Sequence, residues 1–177
     1  MTPVSQKNKI NAERIIKNLE KRSMQGFYCE TKEEALEKAL EIIGSGSSVT
    51  WGGSESIKQI GLIDALKNGE YTVYDRYEAK TPEAVREIYL KAFDVDFFLM
   101  STNAITMDGE LLNIDGMGNR TAAMIYGPRN VLMIVGMNKV TSDLETAMKR
   151  VRMDACVPNT IRLEKNTPCR TTGKCHE

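Results

Sequence analysis

Two short apolar runs, VDFFLMS at Val95–Ser101 and VLMIVGM at Val131–Met137, constrain this chain more than any other feature. A strand with one wet face alternates apolar and polar residues, whereas one that is apolar almost throughout has to be covered on both faces. Sheets covered on both faces are those whose strands run parallel and are joined by helices. The expectation is therefore an α/β domain with an open, mostly parallel sheet flanked by helices, and both runs as buried strands. With 177 residues, 41% of them hydrophobic, the chain has enough apolar material for a core. Neither run approaches the roughly 20 residues that a spanning helix needs.

The intervening segments supply the helices. TKEEALEKALEIIG places Thr31 and Glu34 in capping-box spacing, puts Ala35, Leu36, Ala39, Leu40 and Ile43 on one face, and ends at Gly44. SSVTW reads as a buried strand and SESIKQIGLIDALKNG as one helix, with Ser56 and Gln59 at its start. YTVYD is a further strand, and TPEAVREIYLKAF is a helix capped by Thr81 with Pro82 at its first position. TSDLETAMKRVR closes the series, with Ser142 and Glu145 as a capping box and Leu144, Ala147, Met148 and Val151 facing inward. Residues 5 to 25 form a sparse amphipathic helix around Ile10, Ile15, Ile16 and Leu19, able to lie across the domain or reach a partner, and FYCE after Gly26 reads as a short strand. The expected organisation is an N-terminal helical segment at 1–25, the α/β domain at 26–165, and a cysteine-containing tail at 166–177.

After residue 102 the pattern changes. NAITMDGELLNI holds Asp108-Gly109 between two alternating segments, which is the short-range signal for a β-hairpin inserted in the α/β order. NIDGMGNR then leads into RTAAMIYGPRN, a short helix ended by Gly127 and Pro128.

In open α/β sheets ligands bind beyond the carboxyl ends of the strands, so loops that follow strands are the places to look for chemistry. TWGGSES is one: Gly52 and Gly53 allow close backbone approach, Ser54 adds a hydroxyl, and the start of a helix favours an anion. A turn requiring small residues explains the same stretch. Glu55 is the carboxylate there able to act as base or nucleophile, and it also suits a helix's first turn electrostatically. NIDGMGNR is the second loop. Gly116 and Gly118 free its backbone, Asn119 adds an amide, and Arg120 carries a fork of donors suited to a carboxylate or phosphate. Asp115 could orient a ligand hydroxyl or take a proton, or pair with Arg120 as a structural clamp. Thr102 and Asn103, after the first apolar run, offer neutral hydrogen-bonding groups.

Several classes of function lose support. Twenty-four basic residues balance twenty-four acidic ones, so no net field holds nucleic acid. The polar opening MTPVSQKNKINAERIIKNL has no signal-peptide core, from which a soluble cytoplasmic protein is expected. The sole histidine, His176, stands next to last, which argues against a buried Ser-His-Asp or Cys-His site. Cys169 and Cys175 with His176 provide soft or borderline metal ligands in the tail, although C-x5-C is not a standard zinc spacing and incidental thiols are the competing reading. Cys156 reads as a core thiol and the ten methionines as core filling.

Taken together, STNAITMDGELLNIDGMGNRTAAMIYGPRNVLMIVGMNKV and the later TPCRTTGKC resemble the LUD family, the lactate-utilisation type of protein, and TWGGSESIKQIGL is similar to that family's glycine-serine loop. The resemblance implies a fold similar to sugar-phosphate isomerases and CoA transferases. It also implies a role in bacterial oxidation of lactate to pyruvate, as an accessory or electron-transfer component beside iron-sulfur protein subunits. The residues leave two alternatives open: a free-standing enzyme or binding protein for a small carboxylate, sugar phosphate or CoA ester, and a structural subunit docking through its N-terminal helix. The expected partners are a small anionic ligand, iron-sulfur subunits and a homo-oligomeric copy, with iron-sulfur or another metal held by the C-terminal cysteines or by a partner.

Overall fold

The computed structural model describes residues 2–176. In chain order its elements are α1 (Pro3–Glu20), α2 (Lys32–Ile43), β1 (Ser48–Trp51), α3 (Glu55–Gln59), α4 (Leu62–Asn68), β2 (Thr72–Tyr74), α5 (Pro82–Lys91), β3 (Phe97–Met100), β4 (Ala104–Thr106), β5 (Leu111–Leu112), α6 (Asn119–Tyr126), β6 (Asn130–Met133), β7 (Val140–Thr141), α7 (Leu144–Arg150), α8 (Val157–Arg162) and α9 (Pro168–Thr172). The architecture is α/β, and the chain forms two compact units.

The unit made of Cys29–Ser101 and Asp115–Val135 holds a four-stranded parallel sheet in the order β2-β1-β3-β6. Alternation along the strands divides its core between two faces. Val49, Trp51 and Leu99 face α2, α3 and α4, meeting Ala39, Ile43, Ile57, Leu62 and Leu66. Phe98 and Met100 face the other way, onto Ala92 after α5 and Ala123 of α6. β3 sits between neighbours and is buried over Phe98–Met100, as its unbroken apolar run requires. The second apolar run differs from expectation. β6 is an edge strand, exposed at Asn130 and only half-buried at Val131, Leu132 and Met133, because it has a hydrogen-bonded neighbour on one side alone.

The helix starts follow their capping chemistry. Thr31 Oγ1 accepts the Glu34 N–H at 3.1 Å, and Thr81 Oγ1 accepts the Ala84 N–H at 3.2 Å. The segment expected as one helix is two, α3 and α4, separated by Gly61 at φ 76°. Its cap is Ser54 and not Ser56: the Ser54 hydroxyl accepts the Ile57 N–H. No strand forms at Phe27–Glu30.

The other unit comprises Met1–Tyr28, Thr102–Ile114 and Gly136–Glu177. Its three-stranded sheet has the order β5-β4-β7, with β4 antiparallel to β5 and parallel to β7. The expected hairpin forms, but with a three-residue connection. Thr106 N–H pairs with Glu110 O, Gly109 N–H returns to Thr106 O, and Gly109 takes φ 80° while Asp108 keeps negative φ. α1 docks on this turn: Asn18 Nδ2 donates to Met107 O at 3.1 Å, and Arg14 pairs with Asp108 at 2.9 Å. α7 is capped by Asp143, whose carboxylate accepts the Thr146 N–H at 2.8 Å, in place of the expected Ser142. Asp143 outcompetes Ser142 as a cap because its charged acceptor also suits the helix's positive end. Consequently Leu144 is first-turn and exposed, while Ala147 and Val151 are buried against Ala104. A π-helical stretch, Val151–Cys156, carries α7 into α8, and Cys156 packs half-buried on that cluster. Among the described residues no helix is long and apolar enough to cross a membrane.

Candidate functional site

The carboxyl ends of β2, β1 and β3 lie side by side in the parallel sheet, and the residues beyond them build the candidate site. β1 ends at Trp51, and the chain turns through Gly52, Gly53 and Ser54 into α3. The Gly52 N–H continues the sheet ladder, donating to Leu99 O at 2.9 Å. What favours a small residue here is the neighbour across the turn. A Cβ on Gly52 would lie 3.2 Å from Cδ and 3.4 Å from Cγ of Arg120, closer than most side-chain contacts, and 3.6 Å from the Phe98 ring. The turn and the NIDGMGNR loop are therefore in contact, through the aliphatic stem of Arg120.

The guanidinium beyond that stem is held firmly. Its Nε and Nη2 reach Asp115 Oδ1 at 2.8 and 2.7 Å, and Nη1 donates to Ser101 O, at the end of β3, at 2.8 Å. Asp115 Oδ2 accepts the Thr121 N–H at 2.7 Å. That bond explains how α6 starts without a capping side chain at Gly118, which adopts φ 75°. Asp115 caps the helix from three residues upstream, so its carboxylate stands where the α6 dipole favours negative charge. The Arg120 and Asp115 side chains are 11% and 10% exposed, and together they form a part-buried clamp joining the β3 end, the loop and the helix.

The remaining candidates fall in different places. Gly53 and Gly116 are exposed and Asn119 is half-buried in the first turn of α6. Ser54 is buried and spends its hydroxyl on the α3 cap. Glu55 is exposed, 3.6 Å from Lys58 Nζ. Thr102 and Asn103 belong to the hairpin unit. The Thr102 hydroxyl donates to Ala104 O and Leu112 O, and the Asn103 side-chain oxygen accepts the Ile114 N–H at 3.0 Å.

Arg76 is a further residue at this edge. It follows β2, donates from Nη1 to Trp51 O at 2.7 Å, and so pins the peptide that opens the Gly52 turn. In sequence it stands in the polar stretch DRYEAK, with no motif to mark it. Beside it, Asp75 is buried and paired with Lys67 at 2.5 Å, and Lys67 also reaches Glu78 at 2.8 Å. Hydrogen bonds to Asp75 and then Glu78 raise the Lys67 ammonium above its ordinary value.

In the tail, Cys169 Sγ lies 3.1 Å from Thr167 Oγ1 and 3.5 Å from Thr160 Oγ1. These hydroxyls, Thr167 first, hold its thiol below the usual range. Burial, then the Glu34 charge, pushes the Cys29 thiol up. Cys175 is half-buried, and His176 Nε2 is 2.9 Å from the Thr172 hydroxyl. Among the described residues no three His, Cys, Asp or Glu side chains gather as a metal donor set.

Comparison with known proteins adds one positive finding. The family model of the LUD domain matches residues 12–177, a span that runs from within α1 through the cysteine-bearing tail. No curated protein and no solved structure gives a match. With nearly its whole length matched, the chain belongs to the LUD-domain family.

Proposed function

We propose that this LUD-domain protein serves bacterial oxidation of lactate to pyruvate in the cytoplasm, as the component that receives the small hydroxy or keto acid. The acid lies against the Gly52–Gly53 turn at the carboxyl edge of the parallel sheet. One observation carries the reading: at a strand end the turn is fixed by an arginine stem packed on the buried Gly52, while the next residue, Gly53, stays exposed. The clamped Arg120 and Asp115 form one wall, and the exposed backbone of Gly53 provides close approach.

Lactate oxidation releases two electrons and two protons. Cys169 and Cys175 do not assemble with a third donor among the described residues, so we assign no iron-sulfur cluster to them and place the electron acceptor on a partner subunit. Glu55 and Asp115 are the carboxylates nearest in sequence to the two loops, and of these Glu55 is the one exposed enough to exchange a proton with a ligand.

The test is a thermal-shift panel on the full chain with lactate, pyruvate, sugar phosphates and CoA esters. A ligand at ~100 times its Kd adds about 2.7 kcal/mol of stability. Stabilisation by lactate or pyruvate, lost in Gly52→Val where the turn is filled, is the expected result. Stabilisation by sugar phosphates or CoA esters alone would replace the reading with a free-standing enzyme for those substrates. No stabilisation by any of them would overturn the ligand-holding role.

A further inference from the structure

Arg76 has an environment unlike that of the other arginine at the site. Its guanidinium carbon lies 4.7 Å from the Tyr77 ring centroid and 5.7 Å from that of Tyr89. One N–H goes to Trp51 O at 2.7 Å and one to the Tyr77 hydroxyl at 2.9 Å. Arginine carries five N–H donors, so these two bonds leave three in a group that is half-buried. No carboxylate lies within ion-pair distance of it among the described residues, and the two acids that neighbour it in sequence, Asp75 and Glu78, both contact Lys67. Arg120, by contrast, is matched to Asp115 within the fold. Two rings and a strand-end carbonyl thus fix a planar cation, with spare donors and no direct carboxylate contact among the described residues, beside the turn at Gly52.

We infer that Arg76 is the anchor for the anionic oxygens of the ligand bound at the Gly52–Gly53 turn, and that it gives the site its preference for a charged acid over the neutral analogue. A guanidinium fixed in this way loses little freedom on binding and presents paired donors that match the two oxygens of a carboxylate. The inference rests on the proposed ligand site for its location, but not on lactate or pyruvate being the ligand.

The experiment measures pyruvate and uncharged pyruvamide binding by calorimetry to the full-length wild type, Arg76→Gln and Arg76→Lys. Loss of a hydrogen bond to a charged group corresponds to a fall in affinity of about tenfold to a hundredfold. Arg76→Gln should lose that much for pyruvate while pyruvamide binding stays as it was, and Arg76→Lys should recover part of the loss. Equal weakening for acid and amide would make Arg76 purely structural, and unchanged pyruvate affinity would remove it from the site; either result overturns the inference while leaving the small-acid reading in place. Should the variants fail to fold, the wild type suffices. Phenylglyoxal labelling mapped by mass spectrometry should show Arg76 protected by pyruvate and the exposed Arg129 not protected. Protection by phosphate or acetyl-CoA but not by pyruvate would overturn the small-acid reading and keep the anchor. No protection by any of these anions would overturn both.

Discussion

Removing the Asp115 carboxylate tests whether the NIDGMGNR loop is organised as its contacts indicate. In the folded protein that group compensates Arg120 through one oxygen and caps α6 at Thr121 through the other. With both partners about one-tenth exposed, the pair is closer to a buried ion pair than to a surface one. Truncation in Asp115→Ala strands a guanidinium that retains Ser101 O but has lost its counter-charge, which costs about 3 to 5 kcal/mol. At ~2–4 °C per kcal/mol for a chain of this size, the melting temperature should fall by about 6 to 20 °C. Asp115→Asn keeps an acceptor for the Thr121 N–H and should lie between the two. Replacing both partners, Asp115→Leu with Arg120→Met, should recover much of the loss, because no charge is then left unmatched. Reversible thermal and urea unfolding followed by circular dichroism reads all four proteins. Added formate should raise the stability of Asp115→Ala more than that of the wild type, by supplying the missing carboxylate. A loss within about 0.5 kcal/mol, the range of ordinary surface substitutions, would refute the clamp.

Other parts of the molecule carry equally specific expectations. Asp96 accepts the Ser48 N–H and hydroxyl at 2.9 and 2.7 Å, and these bonds hold its carboxyl below the usual value. A depressed folded value stabilises above the unfolded pKa of about 3.9 and is lost as pH falls through the folded one. The stability advantage of the wild type over Asp96→Asn should therefore be full at neutral pH and shrink below about pH 4 in melting curves. At pH 7, iodoacetamide should alkylate Cys169, lowered by its threonine hydroxyls, before Cys29, raised by burial, with Thr167→Val slowing the first reaction; equal rates by peptide mapping would contradict this. Gly109→Ala forces a side chain into φ 80° and to within 3.3 Å of the Leu19 backbone, which should cost about 1 to 2 kcal/mol in urea unfolding.

Local chemistry was readable in the sequence where one segment decides the outcome. Thr31 and Thr81 cap the helices they precede, Asp108-Gly109 turns a hairpin, and the VDFFLMS run becomes a buried central strand. Reading failed where neighbours in space outweigh neighbours in sequence. VLMIVGM carries the same apolar signal as β3 but takes the sheet edge, since composition does not encode strand order. Ser142 and Asp143 both fit a cap, and the stronger acceptor took the position, which shifted Leu144 outward. Gly61 breaks a helix whose apolar period runs on through it, because the αL conformation it adopts ends one helical path and begins another.

The site shows the same division more sharply. Gly52 looked like a residue chosen for a ligand's approach, yet its immediate requirement is the Arg120 stem, which comes from a loop far along the chain. Asp115 and Arg120 are close enough in sequence for their pairing to be foreseen as one alternative, whereas nothing in DRYEAK distinguishes Arg76 from any solvated charge. Its position depends on β2 pairing with β1 in parallel, in the register Thr50 with Tyr74, which brings the second residue after β2 to the carbonyl of Trp51. The two acids beside it in sequence, Asp75 and Glu78, contact Lys67 from α4 rather than its guanidinium. A cation at this edge is thus a product of strand order and of a third element's salt bridges. The two arginines consequently divide the work: Arg120 is neutralised to hold the loop in place, and Arg76 is left with charge to offer.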